Sequence, residues 1–539
     1  MAICATTCDE KPQISKIPAA IALTARIPTS MSPFLPIAVF KGRNINTGNV
    51  AIMSMVCFIL ALVPHQPIIP RRSFLAGAGA ATLAMSLPKL FAQSPAKPLF
   101  VLPPQPVNRE ELSALLDKLL ETDSPELHSF AVEAYASCIL GKVRPPAPPL
   151  MWRWIAPGGS YYAQWLWDTM FVVDLLSLLP GQEDLIRGVF QNYWDFQQRW
   201  DAEMPDYKHG MEPNFIAPYD SPGDRDGKLW RTFPAFSQIP ILAWGMERIF
   251  LRNGDKTLLR EGLTHLERFH EWYWRERDVA GAGLIGVGSY SGVAQDGRYE
   301  GFDHEVDLDT LKMIPHPGRP AGGNNGSWYG DIATPSNTAY LLRSEQSLAR
   351  MAAILGDQDM AARRKARYEK SAAAMREHMW DDNAGCFLAV HLPNLEKIST
   401  ANLGSFIPLF AHVPTPKQAE AMAATLLTPA WATPLPIPSA PTNHPDYGSG
   451  RYWRGDTWPA PNYQVATGFA SYGNHEAAAR ISDLAVANAL KHGISERYDS
   501  QSGAGLGVPS VGMSSTLLTM ILDGLTSSRY QIRVRKRVE

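Results

Sequence analysis

Apolar side chains recur at three- and four-residue spacing along most of this chain from about residue 108 onward, the mark of one buried face of an α-helix. In 108–122 the face is drawn by Leu112, Leu115, Leu116, Leu119 and Leu120. Ser124 followed by Pro125 is a cap-and-first-turn signal, and predicts a second helix over 124–140. The same period predicts helices over 168–179, 182–200, 236–252, 256–276, 338–355, 357–379, 415–427, 462–470, 474–492 and 514–525. Loops bearing Pro, Gly and Asp separate them, and strand-like alternation is short and rare. No fixed-period repeat runs through the chain, which argues against a regular solenoid. About twelve helices over ~430 residues can close into two concentric rings, an all-α (α/α)6 barrel with its long loops gathered at one end. No Ser- or Gly-rich linker interrupts the region, so 97–539 reads as one catalytic domain.

The first ~95 residues break the helical rhythm. Pro70-Arg71-Arg72-Ser73-Phe74-Leu75 precedes a small, apolar stretch over 76–87, with small-residue cleavage points in 89–96. Arg71 and Arg72 in this setting look like a twin-arginine export signal, so 1–96 is expected to be a cleaved, disordered extension and the mature protein periplasmic or secreted. Met53 or Met55 is a more natural start than Met1. Removing 1–96 leaves only Cys138 and Cys386 in the mature chain. No metal-ligand spacing exists between them; a single bridge is open to them, but the fold does not depend on a disulfide framework. A formal net charge of −2 gives no electrostatic case for nucleic acid or an anionic membrane.

Chemistry concentrates in a few non-periodic segments. Tyr452-Trp453-Arg454-Gly455-Asp456-Thr457-Trp458-Pro459 interleaves rings with charges, and Glu496-Arg497-Tyr498-Asp499 follows before a glycine run. Sugar sites are built from such parts, with rings against the C–H face of a pyranose and charged groups on its hydroxyls. The bland alternative makes Trp453 and Trp458 core anchors. Asp168, after Trp167 at the start of a helix, is a sugar contact or simply a cap. Ser237 in Phe236-Ser237-Gln238-Ile239-Pro240 carries the same ambiguity. The segment 288–305, GSYSGVAQDGRYEGFDHE, is dense in acids without helical period.

Trp167-Asp168, Ser237-Gln238-Ile239-Pro240, the Tyr452–Pro459 run and Glu496-Arg497-Tyr498-Asp499 with Gly503 resemble, in order and spacing, the motifs of the trehalase-like (α/α)6 glycosidases. The likeness is strongest to glycoside hydrolase family 63 and its mannosylglycerate hydrolase-like branch, and covers about 150–527. It implies an inverting hydrolase of an α-linked glucoside or mannoside, a small oligosaccharide or glycosylglycerate, with carbohydrate as its partner and no cofactor or metal. Inversion places two carboxyl groups ~6.5–9.5 Å apart, one protonating the leaving oxygen and one activating water.

By the resemblance, Glu496 is the base, and glycines 503, 505 and 507 let the following loop approach the sugar closely. The acid departs from the family pattern. Ser291, Gly292, Arg298 and Tyr299 fall in register, but Ala294 stands where the acid belongs, leaving Asp296 or Asp303 after a local shift. Asp296 keeps the Ser-Gly before it and the Arg after it, which favours it. The resemblance further implies sugar contacts from Trp167, Asp168, Gln238, Arg298, Asn337, Trp453, Arg454, Asp456 and Trp458. Pro335 replaces a carboxylate that relatives carry beside Asn337. Two other readings stay open: a sugar-binding protein that has lost its acid, as Ala294 suggests, or an (α/α)6 epimerase or lyase. His304 and His316 near the acid segment form no paired pattern of the kind an epimerase needs, and no Walker, dinucleotide or zinc motif is present.

Overall fold

Helix starts are set by capping. Asn108, Ser124, Asp255, Thr334, Asp357, Thr415 and Asn474 each precede a helix and accept a hydrogen bond from its first-turn N–H groups. The computed structural model describes residues 103–203, 208–219, 236–288, 300–315 and 328–535. The export motif, Asp296, Arg298 and His316 lie outside them.

Within these residues the α-helices are α1 (Arg109–Leu119), α2 (Pro125–Glu133), α3 (Leu166–Leu176), α4 (Glu183–Glu203), α5 (Leu242–Asn253), α6 (Lys256–Arg277), α7 (Pro335–Leu355), α8 (Gln358–His378), α9 (Pro416–Thr425), α10 (Pro459–Ser471), α11 (His475–His492) and α12 (Thr516–Leu522). They are of two kinds. Every residue of α3 is buried, whereas α8 buries only Met360, Arg364, Ser371, Ala372 and Met375. A helix apolar all round is enclosed by others, and one with a single apolar stripe lies outside them.

The enclosed elements close a ring. Helix α3 packs on α5, α5 on α7, α7 on the 3-10 segment Leu403–Leu409, that segment on α10, and α10 on α12. The Gly512–Ser515 turn leading into α12 packs back on α3 and completes six inner elements. Outer helices back them, α6 on α5, α8 on α7 and α11 on α10. This is the (α/α)6 barrel.

Four of the inner elements are entered through loops that carry motif residues. Trp165 caps α3, Gln238 precedes α5, Asn337 lies in the first turn of α7, and Trp458 caps α10. Short strands fasten these entrances. β1 (Gln164–Trp165) pairs with β2 (Phe215–Ile216), and β3 (Ser495–Tyr498) pairs with β4 (Gly505–Pro509).

Three expectations change. Helix α5 starts at Leu242, not at Phe236, because the residue before a proline is driven out of the helical region and Pro240 supplies that block. Ser237 therefore caps nothing. Leu403–Leu409 was not expected to be helical, since Gly404 and Pro408 interrupt any helical period. Cys138 and Cys386 are both free and buried, so no bridge joins them, and burial pushes each thiol up to about 12. Among the described residues no helix is long and apolar enough to cross a membrane.

Candidate active site

Glu496 stands on β3 and is 2% exposed. Its Oε1 accepts from the phenol of Tyr161 at 2.6 Å and that of Tyr452 at 2.5 Å, and the two hydroxyls also touch each other at 2.5 Å. Its Oε2 accepts the Val508 N–H at 2.9 Å and lies 3.5 Å from Arg497 Nη1. Gly507 makes this approach possible. Its φ is +75°, and a Cβ there would sit 2.0 Å from Glu496 Oε2. Only glycine meets both demands without strain.

Asp168 lies close enough to feel the charge of Glu496. It is buried in the first turn of α3, and burial followed by repulsion from Glu496 lifts it to about 7. It does not cap the helix, because Trp165 is the capping residue and Asp168 lies three residues beyond it. The open N–H groups of α3 are met instead by Gln238 and Asn214. Gln238 Oε1 accepts from Trp167 N at 2.9 Å, and the Asn214 carbonyl accepts from Leu166 N at 3.0 Å. Asn337 Oδ1 is buried with no hydrogen-bond partner, which leaves an acceptor at the entrance to α7.

The Tyr452–Pro459 run is bound directly to the strand that carries Glu496. Thr457 and Tyr498 exchange backbone hydrogen bonds at 2.8 and 2.9 Å. Arg497 Nε donates to Asp456 Oδ2 at 2.6 Å, and the Arg497 guanidinium lies over the rings of Tyr452 and Trp458 at 5.0 and 5.6 Å. Burial raises Asp456, and Arg497 opposes that shift.

The rings do not act as a sugar platform. Trp453 is stacked on Trp458 at 3.9 Å with planes 7° apart, and its other side carries Phe302 at 4.2 Å and 12°. Both faces of Trp453 are covered, and Trp458 is 1% exposed. What was expected of these two as stacking surfaces is corrected: they are core anchors that shape the pocket. Arg454 is likewise committed to protein. It grips Asp309 through two bonds of 2.9 and 2.5 Å, reaches Asp446 at 2.9 Å, and donates Nε to the His304 carbonyl at 2.6 Å.

Glu300, Phe302 and Tyr161 were not singled out as site residues by motif, and Tyr452 was named only as the head of its run. The Glu300 carboxylate takes Arg277 at 2.5 and 2.6 Å, Ser237 N at 2.9 Å and Gly288 N at 3.0 Å. It thereby ties α6 to the loop that carries Gln238. Gly301 follows because a Cβ would meet Asn337 Oδ1 at 2.7 Å. Phe302 then reaches Trp453 and, at 6.2 Å, Trp167. Asp303, next in the chain, is half-buried; burial and then the charge of Asp307 raise Glu305, and the charge of Asp303 adds to this. Tyr452 carried a signal as part of its motif, and Glu300 and Phe302 as part of the acid-dense 288–305 segment, but none of these signals gave the contact made. Among the described residues no group of three or more His, Cys, Asp or Glu side chains could hold a metal ion.

A model of the mannosylglycerate hydrolase MGH1-like glycoside hydrolase domain matches residues 161–516. The chain belongs to this family. The mannosylglycerate hydrolase of Rubrobacter radiotolerans is 30% identical over 424 residues, covering 68% of this chain and 93% of that protein. That of Thermus thermophilus is 25% identical over 417 residues, covering 67% and 94%. A crystal structure of a GH63 mannosylglycerate hydrolase from Thermus thermophilus in complex with Tris matches with a TM-score of 0.57 at 22% identity, over 73% of this chain and 99% of that one, a likeness of fold. The MGH1-like domain thus begins at Tyr161 and ends just past the hairpin that presents Glu496, so all the contacts described above fall inside it. The protein is a glycoside hydrolase.

Proposed function

We propose that this enzyme hydrolyses an α-linked glycosylglycerate of the mannosylglycerate type with inversion, Glu496 activating water and Asp303 protonating the leaving oxygen. The observation that carries the reading is the setting of Glu496. A buried carboxylate held by two phenols and a backbone N–H has a fixed direction, as a base that must aim one water requires. The substrate class comes from the curated relatives, which are mannosylglycerate hydrolases covered over nearly their whole length.

Asp303 is our choice for the acid over Asp296. It follows Phe302, whose ring packs on Trp453 and faces Trp167, so the chain at this point runs against two motif segments at once. Asp168, Gln238, Asn337 and Asp456 remain as hydrogen-bonding groups for sugar hydroxyls, and Trp167 as a wall of the pocket. The orphaned Oδ1 of Asn337 suits a hydroxyl donor, since an unmet buried acceptor costs free energy until a ligand fills it.

Following α-mannosylglycerate cleavage by proton NMR tests this reading. The first-formed sugar should be the β anomer. Glu496→Gln should lower kcat by roughly 10²–10⁴-fold, the usual worth of a positioned acid or base. The α anomer as first product, or full activity in Glu496→Gln, would sink the reading.

A further inference from the structure

Three consecutive residues, Tyr452-Trp453-Arg454, touch both sides of the reaction. Tyr452 donates to Glu496 at 2.5 Å. Trp453 stacks on Phe302, the residue before Asp303, at 4.2 Å. Arg454 Nε donates to the carbonyl of His304, the residue after Asp303, at 2.6 Å. Asp303 is therefore bracketed by one rigid tripeptide that also holds the base.

The bracket on its C-terminal side is a constrained one. His304 has φ of +60°, a left-handed conformation uncommon for residues other than glycine. Arg454 supplies one contact that holds it there. It is 2% exposed, and beyond His304 it holds Asp309 bidentately, so both ends of the 304–309 turn hang on one guanidinium. Asp446 adds a further carboxylate at 2.9 Å and fixes the arginine from the far side. A planar fork with every edge engaged sets an orientation that a lysine could not.

We propose that Arg454 is a positioning residue for the general acid: by holding the His304 carbonyl and Asp309 it sets where Asp303 stands relative to Glu496. The proposal rests on the reading of Asp303 as the acid. It predicts a dependence on the leaving group, because proton donation matters in proportion to how basic the departing oxygen is. An arginine that only held the fold together would lower turnover of every substrate alike.

The test compares α-mannosylglycerate with 2,4-dinitrophenyl α-mannoside, whose phenolate departs without protonation. Arg454→Met should lower kcat on the glycerate ether by about 100-fold or more, with the activated mannoside kept within about fivefold and KM little changed. Arg454→Lys should recover part of the loss. Asp309→Asn, which alters a half-exposed partner and leaves Arg454 in place, should show the same selectivity more weakly and serves if Arg454→Met does not fold. Equal losses on both substrates in whichever variant folds would overturn the proposal. Asp303→Asn separates the two layers. It should share the selective pattern, and full activity of Asp303→Asn on the glycerate ether would remove the acid assignment itself, whatever Arg454 does.

Discussion

Asp168 and Glu496 are two buried carboxyl groups close enough to repel each other, and the cost of that falls on Asp168. Burial and then Glu496 hold it at about 7, above its ordinary value of 3.8. A carboxyl held above its unfolded value costs stability as pH rises, here from about 4 up to about 7. Asp168→Asn removes that cost. Its melting temperature should match wild type near pH 4 and exceed it near pH 8, by the equivalent of about 2–4 kcal/mol. A variant that loses stability at pH 8 would show that Asp168 is compensated by a partner. The two phenols on Glu496 predict a different effect. Each hydrogen bond to a charged group is worth ~1.5–3 kcal/mol, so Tyr161→Phe and Tyr452→Phe should each lower kcat by about 10- to 100-fold. Since the hydroxyls touch each other, the double variant should lose less than the product of the single losses. Steady-state kinetics on the four proteins decides it.

Helical elements were legible in the sequence because their packing is periodic. All the stretches with three- and four-residue apolar spacing became helices, and Ser124-Pro125 caps as read, with Ser124 accepting from Leu127 N at 3.2 Å. Leu403–Leu409 was not legible, because a 3-10 turn through Pro408 has no such period and owes its shape to the helices around it. The site divides along the same line. Glu496, Asp168 and Gln238 are named by motif, while the roles of Trp453, Trp458 and Arg454 depended on what lay across from them. Stacking partners are contacts between distant segments, and no local pattern announces them. The β3–β4 hairpin carries its own prediction. Gly507→Ala puts a Cβ against Glu496 Oε2 in a left-handed position, so it should destabilise the protein by at least ~1 kcal/mol. On the proposed role of Glu496, activity should fall further than stability does, as measured by kcat beside urea unfolding, because the displaced atom belongs to its carboxylate.

At the scale of the whole barrel, charge also fastens the end opposite the site. Asp174 near the end of α3 is bound by Arg248 and Arg252 of α5, which also hold Asp523 just past α12. Tyr463 of α10 donates to Asp523 at 2.8 Å. Four inner elements are thus joined by one network. Burial alone would raise Asp174, but Arg248 and Arg252 prevail and hold it at about 2. A carboxylate held low contributes stability that is complete above its unfolded pKa and disappears as pH falls towards 2. Asp174→Asn leaves two arginines short of a buried partner and should cost about 3–5 kcal/mol at pH 7. That difference should shrink below about pH 3, and urea unfolding at the two pH values checks it. A penalty that stays constant with pH would mean the loss is one of packing rather than charge. Because these arginines sit at the far end of the same helices whose beginnings carry the pocket, the enzyme has two separate workshops on one frame. Substitutions in the loops at the mouth should therefore add to, rather than multiply, the effect of substitutions in this network, so the site can be altered without losing the stability the network contributes.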